Sequence, residues 1–143
     1  MFNLLVSEVM VRETALALAP EVPVSAAAAQ MAQRNIGAVM VVEDEQLIGI
    51  FTERDALYRV IARGLDAHTT KLADVMTTHP RTIEPTRTYG YALVLMQENG
   101  FRHVPVTKDG KPVGMISSRN AMDPELEEFA SEANRRKFIR EGN

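Results

Sequence analysis

Four consecutive residues, Thr52-Glu53-Arg54-Asp55, bring a hydroxyl, two carboxylates and a guanidinium to the point where a β-rich run gives way to a helical one. A Thr followed three residues later by an acid is a capping box: the hydroxyl accepts from an early helix amide and the carboxylate reaches back to the cap amide. On that purely structural account, removing either side chain costs roughly 1 kcal/mol of stability and nothing else. The same geometry also suits a ligand. A helix start offers unpaired amides and the positive end of its dipole to a phosphate, and a carboxylate one turn in can accept both hydroxyls of a ribose. A matching set, Ser117, Arg119 and Asn120, stands 65 positions later with an amide in place of the acid. As a neutral acceptor Asn holds a diol less strongly than a carboxylate, so this second set reads as the weaker site.

The offset belongs to the whole chain. Pro20 falls on Pro85, Ala27 on Ala92, Met31 on Met96, and GIFTERD (49–55) on GMISSRN (114–120). SEVM ending at Met10 matches ADVM ending at Met76 at a shift of 66. Two half-size copies imply a pseudo-symmetric module with a cleft between halves. The other wall of that cleft is asymmetric, because Arg102 and His103 align with Gly37 and Ala38. Only the second copy therefore supplies cationic or donor groups ahead of its inner strand. Taken singly, His103 also fits a locally bonded strand histidine and Arg102 a surface charge.

The elements that must carry these residues are legible. Val24–Asn35 is Ala-rich with an apolar stripe at Ala27, Ala28 and Met31, and Thr88–Asn99 repeats the stripe at Ala92, Leu93 and Met96. Gly100 and Asn35 suit left-handed helix ends. After each helix come two β-rich runs around a polar turn, strongly signalled by Asp109-Gly110 and more weakly over 43–46. Pro105 belongs at a strand start or edge, and Gly49 and Gly114 mark a close approach by a packed helix or a ligand. A helix over Glu53–Arg63 ends at Gly64, short extended pieces cover 15–18 and 81–83, and small helices over 4–10 and 72–76 open each copy. Over 124–140, acids precede bases as a helix dipole favours, with an apolar seam at Leu126, Phe129, Ala130 and Ala133. Tyr89, Tyr91 and Phe101 could stack on a base or pack in the core.

At 143 residues, two separate domains of half that length would bury too little surface, so the copies should share one core. A net charge of −3 removes the electrostatic case for nucleic acid. With no cysteine, disulfides, thiolate nucleophiles and Cys-based zinc sites are excluded, and His68, His79 and His103 lack metal-ligand spacing. The first residues, MFNLLVSEVMVRE, do not read as a signal peptide, no run reaches membrane-spanning length, and a cytoplasmic location is expected.

The V-M dipeptide opening each copy, the RHVPV run at 102–106, and G-h-h-[T/S]-x-x-[D/N] closing each hairpin together resemble the CBS domain, named after cystathionine β-synthase, in tandem from about Ser7 to Asn120. The resemblance implies a mixed α/β (α+β) fold of two pseudo-symmetric β-α-β-β-α repeats, over 1–66 and 67–123, followed by a C-terminal helix over 124–143. It implies a stand-alone regulatory module without catalytic residues, metal or obligatory cofactor, which binds AMP, ADP, ATP or a related adenosyl ligand and signals by conformational or oligomeric change. Asp55 would then hold the ribose, Thr52 would face the phosphate with Arg54 nearby, and Arg102 and His103 would reach the phosphates. Strand edges at Ala38, Val39 and Pro105 would frame the adenine. Ser117, Arg119 and Asn120 would form a weaker or empty site. Such modules pair through helix faces, and Leu57, Val60 and Ile61 suit a homodimer seam; a protein partner is implied but not identified. Two other readings compete: a ligand-free dimerisation scaffold, and a catalytic cleft resting only on Asp55 and His103.

Overall fold

The computed structural model describes residues 2–12, 16–120 and 136, so the helix expected over 124–140 lies, apart from Arg136, outside the described residues. From the amino terminus the elements are α1 (Val6–Val9), β1 (Ala17–Leu18), α2 (Val24–Arg34), β2 (Ala38–Glu43), β3 (Gln46–Thr52) and α3 (Glu53–Asp55), which runs on as a π-helical stretch, Ala56–Ile61. Then follow α4 (Leu72–Val75), β4 (Thr77–Thr78), α5 (Tyr89–Asn99), β5 (His103–Lys108) and β6 (Lys111–Ser117). Among the described residues no helix is long and apolar enough to cross a membrane.

The local signals act as their chemistry requires. Asn35 and Gly100 end α2 and α5 in the left-handed conformation, and Gly64 takes φ +68° just beyond the π-helical stretch. Both hairpins close with two residues at positive φ: Asp109 and Gly110 in the second, and Asp44 and Glu45 in the first, where the sequence signal was weaker. The helix expected over Glu53–Arg63 differs from expectation, because its middle widens to a π-helix. Two neighbouring side chains there are tied to different parts of the first half. Val60 is buried in its core, and Arg59 bonds the carbonyls of Val75 and Met76.

One sheet runs β1-β2-β3-β4, with β1 parallel to β2 and the other neighbours antiparallel; the second is the β5-β6 hairpin. Strand β4 has a counterpart in Val11, which bridges Met115. Each copy thus lends its opening segment to the other. Leu72 and Val75 of α4 complete the core of the first half beside Phe51 and Met31, whereas Val6 and Met10 complete that of the second beside Tyr89 and Met96. A single shared core was expected; the structure has two, joined by a small cluster of Ala38, Met40, Ile50 and Met115 between the sheets. Separating the halves would expose Val6, Met10, Leu72 and Val75 at about 1.5–3 kcal/mol each, which rivals the whole stability of a domain. Exchange of opening helices solves the surface problem that made two independent small domains untenable.

The same exchange explains Gly49 and Gly114. The approach comes from the helix ends: a side chain at Gly49 would strike Met76 Sδ at the end of α4, and one at Gly114 would strike Met10 Sδ at the end of α1. Pro105 sits third in β5, with its carbonyl accepting from Ile83 on the outer edge. In the first copy the aligned Met40 donates its N–H to the Leu16 carbonyl. Pro105 has no N–H to give, so the segment before Ile83 forms a single bridge where the first copy forms β1.

Candidate functional site

Thr52 and Asp55 form the expected cap. The Thr52 N–H and hydroxyl donate to Asp55 Oδ2 at 3.0 and 3.1 Å, and the Asp55 N–H donates to Thr52 Oγ1 at 3.2 Å. The second carboxylate oxygen, Oδ1, accepts from Thr77 Oγ1 at 3.4 Å and pairs with Arg59 Nε at 3.5 Å. Asp55 is 7% exposed. This nearly buried carboxylate therefore accepts three hydrogen bonds and is paired with one guanidinium.

Arg59 carries the network further. Its guanidinium also donates to the Val75 and Met76 carbonyls at 3.3 and 3.1 Å, tying the end of α4 to the helix that holds Asp55. Arg59 and Thr77 were not singled out in the sequence. An acid and an arginine four apart on a helix were a visible signal for the first. Thr77 lies 22 residues from Asp55 and only the chain crossover brings it there.

A cleft of about 880 Å³ opens beside this network. Thr52, Arg54 and Asp55 line it from the first copy, and Arg102, His103 and Pro105 from the second. Ile50, Leu57, Pro80 and Phe101 supply apolar wall, and Arg59, Thr77, His79 and Arg81 complete the polar one. Arg54 stacks on the Tyr58 ring, 5.1 Å from its centroid. His103 lies beneath Glu53, and both crowd Gly37: a Cβ there would stand 3.3 Å from the imidazole and 3.2 Å from the carboxylate. Burial pushes the His103 pKa below its ordinary 6.5; the Arg102 charge acts the same way and the Glu53 charge opposes them.

Two residues expected to frame the adenine lie elsewhere. Val39 is fully buried in the core of the first half, and Ala38 faces the gap between sheets, because adjacent side chains of a strand point to opposite faces. The aromatic residues separate as well. Tyr89 is buried and donates its hydroxyl to the Ser117 carbonyl at 2.8 Å, Tyr91 is 48% exposed with Arg87 over its ring, and Phe101 lines the cleft.

The opposite hollow is smaller, about 220 Å³, and is lined by Ser117, Arg119 and Asn120 together with Gly37, Ala38 and Arg34. Asn120 caps as Asp55 does: its Oδ1 accepts from the Ser117 N–H and hydroxyl at 2.7 and 2.8 Å. A further hollow follows α2 past Ala28 and Met31; it shares Glu53, Arg102 and His103 with the main cleft but lacks Thr52 and Asp55. Among the described residues no group of His, Asp and Glu could hold a metal ion.

With this geometry established, known proteins give a consistent match. The family model described as the CBS domain matches residues 6–62 and 72–124. The CBS domain-containing protein CBSX3, mitochondrial, of Arabidopsis thaliana is 37% identical over 110 residues, 73% of this chain and 53% of the relative. The chain thus spans about half the length of that curated relative. A conserved protein of Pyrococcus horikoshii superposes with a TM-score of 0.80 at 24% identity, covering 87% of this chain and 94% of that one. A CBS domain protein of Pyrobaculum aerophilum, solved in complex with AMP, superposes with a TM-score of 0.74 at 24% identity, covering 82% and 89%. At those identities the two structures speak for the fold.

Proposed function

The chain belongs to the CBS-domain family, as a tandem pair of repeats, and from that premise we propose that it is a cytoplasmic regulatory module that binds an adenosine nucleotide in the cleft between its halves. One observation carries this reading. The acid of the first copy and the cations of the second, Asp55 with Arg102 and His103, line the same cavity. The AMP held by the Pyrobaculum protein supports the ligand class. In this reading the ribose hydroxyls engage Asp55, the phosphates lie toward Thr52, Arg102 and His103, and the base rests against Ile50, Phe101 and Pro105. The module itself performs no chemistry.

Asp55 is nearly buried and its Oδ1 already faces Thr77 and Arg59, so a ribose that engages this oxygen does so at the expense of one of those contacts. That exchange loosens the tie from Arg59 to the Val75 and Met76 carbonyls, so ligand shifts the balance between two arrangements of the crossover. The exposed Leu57, Tyr58 and Ile61, at 51, 57 and 69%, leave an apolar stripe on the same helix through which two copies pair. Val60, expected in that seam, is buried in its own core instead.

Isothermal titration of AMP, ATP and S-adenosylmethionine against the intact chain and Asp55→Ala tests the reading. The variant should bind about 10- to 100-fold more weakly, the range for hydrogen bonds to a charged group, while its folding weakens by about 1–3 kcal/mol, because Thr77 and Arg59 lose a partner along with the cap. Unchanged affinity, or no binding to the intact chain, would return the chain to the scaffold reading.

A further inference from the structure

We propose that the cleft reads phosphate number through Arg81 and Arg102, and so selects a nucleoside polyphosphate over a monophosphate or a cationic adenosyl compound; this rests on the nucleotide reading above. Four guanidiniums line the cleft, those of Arg54, Arg59, Arg81 and Arg102, against the two carboxylates of Glu53 and Asp55. Asp55 is already matched by Arg59, and Arg54 lies over Tyr58. Arg81 and Arg102 are different. Both are exposed and line the cleft, and neither guanidinium has a hydrogen-bond or ion-pair partner among the described residues. Two unmatched guanidiniums lining one cleft raise its positive potential and favour an anion there. Each is a planar fork suited to one phosphate group.

The placement of Arg81 is not explained by packing. Its counterpart in the first copy is Leu16, a buried core residue whose carbonyl accepts from Met40. In the second copy Pro105 removes that donor, so the backbone at Arg81 is not held to β5 as Leu16 is held to β2. His79, two residues earlier and also on the wall, has φ +49°, a left-handed turn that leads the chain through Pro80 to Arg81. Substitution of a core leucine by a cation, a missing ladder bond and a left-handed turn coincide in one segment, and that segment edges the cleft. Room is not limiting: about 880 Å³ lies toward the upper end of the ~300–1,000 Å³ typical of small-molecule sites. On this proposal a monophosphate engages Thr52 and Arg102, and the further phosphates of a polyphosphate engage Arg81 in the same cleft. S-adenosylmethionine, with two cationic centres against one carboxylate, carries a net positive charge that these guanidiniums disfavour.

The test is titration of adenosine, AMP, ADP, ATP and S-adenosylmethionine into the full chain without divalent cations, at low and high salt. Affinity should rise about tenfold or more from AMP to ATP, with a steeper salt dependence for ATP, and S-adenosylmethionine should bind no better than adenosine. In Arg81→Ala the loss should grow with phosphate number, from less than about twofold for adenosine to most of the gain for ATP; Arg81→Lys should restore part of it. Melting of each variant checks folding. AMP binding as well as ATP, or an equal loss for every ligand in Arg81→Ala, overturns the inference and leaves the nucleotide reading standing. Failure of every adenosine ligand to bind overturns both.

Discussion

The helix starts of the two copies share a hydrogen-bond pattern and differ in charge. Asp55 Oδ2 takes the N–H and hydroxyl of Thr52, and Asn120 Oδ1 takes the N–H and hydroxyl of Ser117. Capping therefore needs one carbonyl-type oxygen, which an amide supplies as well as an acid. What Asp55 has beyond that is a second acceptor oxygen and a charge, committed here to Thr77 and Arg59. The structural and functional accounts of this motif, which compete for a single copy, separate once the copies are set side by side. The hollows holding the two capping residues differ as well, at about 880 Å³ with four arginines around Asp55 against about 220 Å³ with two around Asn120, although Ser117 and Arg119 also border the hollow of about 880 Å³ along α2.

The sharpest way to break this comparison is to exchange the two residues. Asp55→Asn gives the first copy the second copy's chemistry, and nucleotide affinity measured by titration should fall about tenfold. Asn120→Asp should change affinity by less than about twofold, because the hollow around it is small. A second binding event in that variant would show that the acid alone decides occupancy.

Next in size is the contrast between the buried glycines. Gly49→Ala meets the Thr77 carbonyl oxygen at 3.0 Å as well as Met76, whereas Gly114→Ala meets the Val11 carbonyl oxygen at 3.4 Å and a movable Met10 side chain. Urea unfolding should show a loss of about 2 kcal/mol for the first and about 1 kcal/mol for the second. Equal losses would mean that the methionines, not the backbone, set the cost.

Tyr89→Phe removes a hydroxyl that donates to the Ser117 carbonyl, and should cost about 1 kcal/mol in the same assay. The first copy solves this part of its core differently. Val24 and Phe51 stand where the second has Tyr89 and Ile116, so the aromatic ring has moved from strand to helix.

His103 has only Ala38 opposite it in the first copy, so its titration is a property of one half. Its native pKa lies below 6.5, and between that lowered value and 6.5 the unfolded chain binds the proton more readily. Stability should be level above pH 6.5 and decline as pH falls through this window. In His103→Gln that part of the decline should vanish from a plot of Tm against pH; an unchanged plot would assign it to other groups.

The smallest effect concerns the turns. Glu45 holds φ +65° where the second hairpin has Gly110. Glu45→Gly should raise stability by about 0.5 kcal/mol in thermal melts, the relief of left-handed strain exceeding glycine's entropic cost and the exposed pair with Lys111. A loss instead would mean that this exposed pair matters more than its geometry suggests.

The amino-acid sequence by itself determined what contiguous residues decide. The doubled pattern, α2 and α5 with their left-handed ends, both hairpins, and the caps at Thr52 and Ser117 are all set by groups within a few residues of one another. Aligning the copies also exposed Arg102 and His103 against Gly37 and Ala38, a difference visible without coordinates. Only the tertiary structure decided which copy's core each opening helix completes, that Val39 and Val60 are packed inward, and that Thr77 and Arg81 border the cleft with Asp55. Those placements arise where the chain crosses between halves, through contacts 16 to 22 residues apart in the case of Arg59 and Thr77. Local periodicity says which face of an element is apolar but not which neighbour covers it, and two similar copies offer two similar faces. The choice is made by packing: Met76 against Gly49 and Met10 against Gly114.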